Sequence, residues 1–265
     1  MSGLSAVIAS VGLLGPGFRD WDDGGEILSG RRAYGAGRTV IPVAAALPPA
    51  ERRRAGRVIH TALAVGAEAL RRCGADGRTL PTVFASSSGD GDNCHEICVA
   101  LAAEPRQISP TRFTNSVHNA AAGYWSIAHG CREASTALCA GDASFGAGLL
   151  EAGAQLTAGA ASVLLLCYDT DYPPPLRAKQ PVPDAFGAAL LLTSPSAAAG
   201  LAGITLALSD TLTSTPMADS GLEALRRAIP AARCLPLLQS LARQQTGPVV
   251  LDYLRGLQLA IELRT

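Results

Sequence analysis

Charge and aromatic rings are scarce in this 265-residue chain, at 17% and 5% of residues. The 22 basic and 22 acidic residues cancel, so no net field attracts a polyphosphate backbone, and nucleic-acid binding is not expected. No apolar run approaches the ~20 residues that a membrane-spanning helix needs, and no basic flank precedes the apolar N-terminus. We therefore expect a cytoplasmic protein without a membrane span.

Seven cysteines are present, an odd number scattered through apolar contexts. This pattern does not indicate a disulfide framework, and we expect reduced, mostly buried thiols. Apolar residues make up 48% of the chain and glycines number 28. Small side chains let helices pack closely on a sheet or on another subunit, so an oligomer is expected. The length suits a single domain over residues 1–265.

Hydrophobic periodicity predicts a mixed sheet in α/β layers. Strands are predicted at Leu4–Leu14, Pro81–Ser86, Ala134–Leu138, Ser162–Tyr168, Phe186–Thr193, Ile204–Leu208, Val249–Tyr253 and Leu257–Leu263. Helices are predicted at Pro49–Cys73, Asn93–Ala103, Ser116–His129, Gly141–Ala158, Gly221–Ile229 and Leu235–Gln244, with a loop at 15–48. The short spacer between Phe186–Thr193 and Ile204–Leu208 favours consecutive antiparallel strands.

One predicted strand-to-helix turn lies at Ser135–Gly146. A nucleophile placed at such a turn faces the positive end of the helix, where free backbone N–H groups favour a thiolate and can bind an oxyanion. Position along the turn therefore decides whether a side chain there can react.

The turn resembles the Ser-Thr-Ala-Cys element of ketosynthases, which small residues and a glycine follow. Aligning Ser135, Thr136, Ala137 and Gly146 with that element places Leu138 at the nucleophile position. Cys139 comes one residue late, and neighbouring positions of a strand face opposite ways. We expect Cys139 to be a small buried thiol and the chain to hold no catalytic residue.

The segment Phe113–Asn119 resembles the ketosynthase region that follows the dimer seam. The likeness is greatest to short chain-length-factor homologues of bacterial aryl polyene pathways, over 4–194 in order of elements and over 58–169 in motifs. It implies a thiolase-like layered αβαβα fold, with an N-terminal half at 1–194 and an abbreviated C-terminal half at 195–265. Active ketosynthases carry two histidines in their C-terminal half, whereas no histidine here follows residue 129.

The resemblance implies a non-catalytic chain-length-factor subunit that forms a heterodimer with a full-length ketosynthase and shapes its acyl tunnel. The pathway would be type II polyketide, aryl polyene or fatty-acid-like chain elongation, and an acyl carrier protein would reach the chain through the complex. No cofactor or metal is expected. The residues that would form the tunnel or interface are Phe113, Val117, His118, Tyr124 and Trp125.

Two alternatives stay open. The chain could be an active acyltransferase or ketosynthase with Cys139 as nucleophile, activated by the helix that begins at Gly141, or it could be a non-enzymatic binding or structural homodimer. Other motifs are weak. Cys94, His95 and Cys98 lack a fourth zinc ligand, and Ser144 lacks the glycine two residues before it that a hydrolase elbow needs.

The pair His118 and His129 also falls short of a catalytic site. Eleven residues of one helix would separate them by roughly 16 Å, which is too far for joint acid–base work on one atom. Hydrogen bonding in the core or at an interface is the better interpretation.

Overall fold

The computed structural model describes residues 3–196 and 200–264. The strands are β1 Leu4–Leu14, β2 Thr82–Ala85, β3 Ser135–Leu138, β4 Ser162–Asp169, β5 Phe186–Thr193, β6 Ala202–Ser209, β7 Gly247–Leu254 and β8 Leu257–Arg264. The α-helices are α1 Trp21–Leu28, α2 Pro49–Arg54, α3 Arg57–Cys73, α4 Gly91–Ala102, α5 Pro110–Thr114, α6 Ala120–His129, α7 Ser144–Thr157, α8 Pro174–Arg177, α9 Ser220–Ala228 and α10 Leu235–Ala242. Short 3₁₀ turns lie at Gly141–Ala143 and Pro230–Cys234. None of the described helices is long and apolar enough to cross a membrane.

One mixed sheet of eight strands runs through the described part of the chain, in the order β3-β2-β4-β5-β1-β6-β8-β7. The strands β2, β3 and β4 are parallel, and the other pairings are antiparallel. Two apolar clusters cover the two faces of the sheet, one built on α3 and α6 and the other on α7 and the C-terminal segments. The α/β thiolase-like fold implied by the sequence is confirmed.

The sheet folds over α7, which therefore packs between two of its parts. On one side of the helix, a Cβ at Gly148 would lie 2.7 Å from the side chain of Leu165 in β4. On the other side, a Cβ at Gly146 would lie 2.9 Å from the ring of Tyr253 in β7. The small residues of α7 let both parts of the sheet approach the helix, which produces the layered arrangement.

Gly148→Ala is expected to destabilise the protein, although alanine favours helix formation by about 1 kcal/mol. The new methyl group would overlap Leu165 and Ala85, and overpacking costs about 1 to 3 kcal/mol. The matched control is Gly123→Ala in α6, where a Cβ meets nothing within 4 Å. Urea denaturation should show a lower free energy of unfolding for Gly148→Ala and a higher one for Gly123→Ala. Equal shifts would contradict the packing of α7.

Three predicted elements differ from the structure. The loop at 15–48 contains helix α1, which Asp20 caps by accepting the amide hydrogen of Asp23 at 2.8 Å. The helix predicted at Pro49–Cys73 is interrupted after Arg54, because residues 55 and 56 are extended. The helix predicted at Ser116–His129 begins only at Ala120, so His118 and His129 do not share it.

The strands β5 and β6 are not a pair. Both pair antiparallel with β1, which lies between them, so they run parallel to each other. The prediction of consecutive antiparallel strands was wrong because β1, with 11 residues, has two free edges that accept β5 and β6. Part of the connection between them lies outside the described residues.

Candidate functional site

The carboxyl ends of β2, β3 and β4 meet at one edge of the sheet, because these strands are parallel neighbours. Polar residues follow each of them. Ser86, Ser87 and Ser88 come after β2, Cys139 comes after β3, and Asp169 ends β4. This edge also contains the start of α7, so it is the place where the turn at Ser135–Gly146 would carry chemistry.

Leu138 is the last residue of β3, and its partly buried side chain packs on the apolar cluster around α7. Cys139 is exposed rather than buried, so the expectation of a small buried thiol was wrong. The reason is that the strand ends at Leu138 and the next residue turns outward. The thiol of Cys139 donates to the carbonyl oxygen of Ser87 at 2.7 Å, an interaction that requires the protonated, less nucleophilic form.

Ser144 occupies the first position of α7 and is fully buried. Its hydroxyl oxygen accepts the amide hydrogen of Ala140 at 3.1 Å. The hydroxyl hydrogen lies within reach of the carbonyl oxygens of Ser86 at 3.0 Å and Gly141 at 2.7 Å. The serine therefore ties the end of β2 to the start of the helix.

Asp169 is the centre of a buried hydrogen-bond network that the sequence did not predict. One carboxylate oxygen accepts from the amide and the hydroxyl of Ser87, at 2.8 and 2.7 Å, and the other accepts from the amide of Ala231 at 2.8 Å. The hydroxyl of Tyr172 forms hydrogen bonds with the hydroxyl of Ser87, at 2.9 Å, and with the hydroxyl of Ser88. Burial raises the pKa of Asp169 to about 6, although these hydrogen bonds oppose the rise.

The 3₁₀ turn Pro230–Cys234 closes this edge of the sheet from the C-terminal part of the chain. Besides the amide of Ala231, it provides Arg233, whose guanidinium group pairs with Asp142 at 2.8 Å. Cys234 and Cys167 are both fully buried near each other, and burial is the largest cause of the raised pKa of each thiol. These contacts join β2, β4, α7 and this turn, so the role of the network is structural.

The five residues predicted to form a tunnel or interface divide into two groups. Phe113 and Val117 are 68% and 54% exposed. Tyr124 and Trp125 are buried in α6, where the Tyr124 hydroxyl donates to Asn115 at 3.2 Å and Trp125 packs on Phe84. His118 is partly buried, and its Nε2 atom has no hydrogen-bond partner among the described residues.

The remaining motif residues lie elsewhere. Cys94 and Cys98 are exposed on α4, so together with Cys73 and Cys139 four of the seven thiols are exposed, and the prediction of mostly buried thiols was wrong. His129 stacks on Trp125 at a centroid distance of 4.0 Å. His60 accepts the amide hydrogen of Ala44 at 3.2 Å.

The two outermost strands of the sheet, β3 and β7, differ in how their free sides are covered. Along β7, the amide of Thr215 donates to the carbonyl of Val250 at 2.7 Å, so the segment around Thr215 covers that edge. The strand β3 pairs only with β2, and the described residues leave its other side open. The following large apolar side chains of the segment between β2 and β3 are exposed: Val99, Leu101, Phe113, Val117 and Ile127.

Chains in solved structures that are similar to this one include the following three. A ketosynthase in complex with its chain length factor from Xenorhabdus doucetiae matches with a TM-score of 0.75 and 23% identity, covering 98% of this chain and 99% of that chain. The ishigamide ketosynthase/chain length factor matches with a TM-score of 0.75, 14% identity and coverage of 98% and 99%. A type II polyketide synthase acyl carrier protein in complex with its ketosynthase bound to the hexaketide matches with a TM-score of 0.75, 13% identity and coverage of 100% of both chains. At these identities the likeness establishes the fold.

No curated protein sequence matches this chain. The family described as "Beta-ketoacyl synthase, N-terminal domain" matches residues 30–246. This match spans the turn after β3, the segment Phe113–Asn119 and the buried network at Asp169. The chain therefore belongs to the beta-ketoacyl synthase family.

Proposed function

We propose that this chain is the non-catalytic chain-length-factor subunit of a heterodimer with a full-length ketosynthase, acting in type II polyketide, aryl polyene or fatty-acid-like chain elongation. The observation that carries the proposal is the end of β3. Leu138 stands at the nucleophile position and packs, partly buried, against the core, while the neighbouring thiol of Cys139 donates to the Ser87 carbonyl.

The open edge of β3 supports a protein partner. An unpaired strand edge offers a row of backbone N–H and C=O groups, which proteins normally cover or pair. Exposed apolar side chains lie on the segment between β2 and β3, including Ile127 of α6, a helix that packs on β3. Exposed apolar side chains near a free strand edge are typical of an interface. The solved complexes with similar chains contain ketosynthases, which suggests the kind of partner.

In the proposed complex, the partner's cysteine holds the growing acyl chain and carries out condensation with units delivered by an acyl carrier protein. This chain contributes a wall of the tunnel. Phe113 and Val117 are free to reach a neighbouring subunit because they project from the surface. Bulk at the end of a tunnel limits product length, since an over-long acyl chain would overpack it at a cost of about 1 to 3 kcal/mol.

Phe113→Ala is expected to shift the products of the reconstituted complex toward longer acyl chains, by one or more extension units. The matched control is Leu254→Ala, which removes a side chain of 51% exposure at the covered, opposite edge of the sheet. Mass spectrometry of the released products from both complexes measures the effect. An unchanged length distribution for Phe113→Ala, at full complex formation, would contradict the role of Phe113 as a tunnel wall.

One observation favours a second function, an active acyltransferase with Cys139 as nucleophile: the thiol is exposed. A thiol that donates to a carbonyl should react slowly, because the thiolate is the nucleophile. We expect iodoacetamide at neutral pH to modify Cys139 no faster than the exposed thiol of Cys98, as followed by peptide mass spectrometry. Labelling of Cys139 that is at least tenfold faster than that of Cys98 would favour the acyltransferase.

A further inference from the structure

A cavity of about 640 Å³ opens beside the carboxyl end of β1. Its walls are the turn at 15–19 and the segment 32–42. The strand β1 runs parallel to β4, since both are antiparallel to β5, so the cavity lies at the same edge of the sheet as Asp169. Its volume is within the range of small-molecule sites, about 300 to 1,000 Å³.

The walls of the cavity are fixed, although residues 33–44 form neither helix nor strand. The amide of Gly17 donates to the carbonyl of Gly37 at 3.1 Å, and the hydroxyl of Tyr34 donates to the carbonyl of Pro16 at 3.1 Å. The amide of Thr39 donates to Asp184 at 2.9 Å. These bonds hold the segment against the turn, so the cavity exists before any ligand arrives.

The polar lining of the cavity carries more positive than negative charge. Arg19, Arg32 and Arg38 line it, and among the described lining residues Asp23 is the only acid. Arg19 and Arg32 contact the same carboxylate oxygen of Asp23, each at 2.7 Å. Asp20 lies near Arg19, but its carboxylate accepts the amide hydrogen of Asp23 and caps α1. One buried carboxylate is therefore shared between two guanidinium groups.

The third arginine, Arg38, also shares its carboxylate partners with other arginines. Arg38 lies 3.5 Å from Asp171 and 3.7 Å from Asp184, and these two carboxylates also serve Arg57 and Arg177. Across the two separate clusters, five arginines lie within 4 Å of three aspartates, and Asp20, Glu26 and Asp90 lie near Arg19, Arg32 and Arg57. Three arginines nevertheless line this one cavity with a single aspartate, and guanidinium groups bind carboxylate and phosphate with two hydrogen bonds each.

The rest of the lining is apolar and partly uncovered. Phe18, Val40 and Pro42 provide its apolar side chains. Val40 is 81% exposed. It is exposed even though Thr39, the residue before it, is held in place by hydrogen bonds. An apolar group in the cavity would remove this valine from water.

We propose that the cavity binds an anion with an apolar chain, its carboxylate or phosphate group held by Arg19, Arg32 and Arg38 and its chain lying against Phe18, Val40 and Pro42. The source of such an anion is a free fatty acid or a phosphate monoester of an apolar alcohol. The proposal is independent of the heterodimer and needs no reaction in the cavity.

Isothermal titration calorimetry of the full chain with decanoate, decyl phosphate, decanol and inorganic phosphate tests the proposal. We expect one decanoate or decyl phosphate to bind per chain, and the tighter of the two identifies the head group. Decanol and inorganic phosphate should each bind at least tenfold more weakly, because each lacks one half of the ligand. No saturable binding of either amphiphile, or equal binding of decanol, would overturn the proposal.

Matched variants locate the site. Arg32→Gln should weaken binding by about tenfold, the effect of losing a charged hydrogen bond. Arg31→Gln should leave it unchanged, since Arg31 pairs with Glu26 outside the cavity lining. Val40→Ser should weaken binding about threefold, whereas Val43→Ser, outside the lining, should not. Because Val40 is exposed, its replacement does not threaten folding, and unchanged affinity in both Arg32→Gln and Val40→Ser would exclude this cavity.

Discussion

Ala137→Pro is expected to weaken the proposed heterodimer with a ketosynthase about tenfold or more while leaving the isolated chain folded. The amides of Thr82 and Ser86 donate to the carbonyls of Ala134 and Leu138, so alternate residues of β3 face β2, and the N–H of Ala137 faces the open edge. Proline removes that donor and places its ring at the edge, which edge strands tolerate. The partner's carbonyl group would be left without its donor at a cost of about 1 to 3 kcal/mol, which raises the dissociation constant about 5- to 150-fold.

The control for this substitution is Ala137→Ser, which keeps the backbone N–H and the strand edge. Size-exclusion chromatography and titration against the partner compare the two variants, and circular dichroism checks that both are folded. Phe113→Glu provides an independent variant, since it places a charge on an exposed apolar side chain of the same segment. If folded Ala137→Pro and Phe113→Glu both bind the ketosynthase as tightly as Ala137→Ser does, the interface is elsewhere.

Asp169→Asn is expected to remove a pH dependence of stability that the wild-type chain has between pH 7 and pH 4. Burial raises the pKa of Asp169 from its ordinary value of 3.8 to about 6, so in this range the folded chain holds a proton that the unfolded chain releases. The contribution of Asp169 to stability therefore increases as the pH falls from 7 to 4, and ionisation at neutral pH costs the fold at most about 3 kcal/mol.

Urea denaturation at several pH values measures this effect as the difference between the wild-type chain and the variant. Asparagine also places an N–H group against the amide of Ser87 or Ala231, which lowers stability equally at every pH. For that reason, only the change of the free energy of unfolding with pH reports the titration of Asp169. The exposed Asp210→Asn is the matched control and should follow the wild-type profile. A parallel profile for Asp169→Asn would show that Asp169 does not titrate in this range.

The sequence predicted the elements whose signals are local. Composition and apolar runs predicted helix α7 and strand β4, and the strand predicted at Ala134–Leu138 placed Leu138 at the end of β3. Helix α1 was missed because Gly24 and Gly25 weaken its propensity. Its signals were Asp20 as cap and the spacing of Trp21, Ile27 and Leu28.

Long-range arrangement was less accessible. Nothing local in β5 and β6 reveals that β1 lies between them, and nothing near Asp169 in the sequence reveals that the amide of Ala231 reaches it from 62 residues away. The serines after β2 and the aspartate at the end of β4 were a usable signal, because carboxyl ends of parallel strands meet at one edge. The end of the strand at Leu138 was predicted correctly, but the exposure of Cys139 depends on which other segments cover the turn after it, and no local pattern reveals that.

Intact-protein mass spectrometry of the chain co-purified with an active ketosynthase and supplied with acyl-loaded carrier protein shows which subunit carries the acyl group. We predict a 1:1 complex in which the acyl mass appears on the ketosynthase and the present chain keeps its unmodified mass. An acyl group on Cys139, or a chain that copurifies with no ketosynthase and accepts the acyl group by itself, would contradict it.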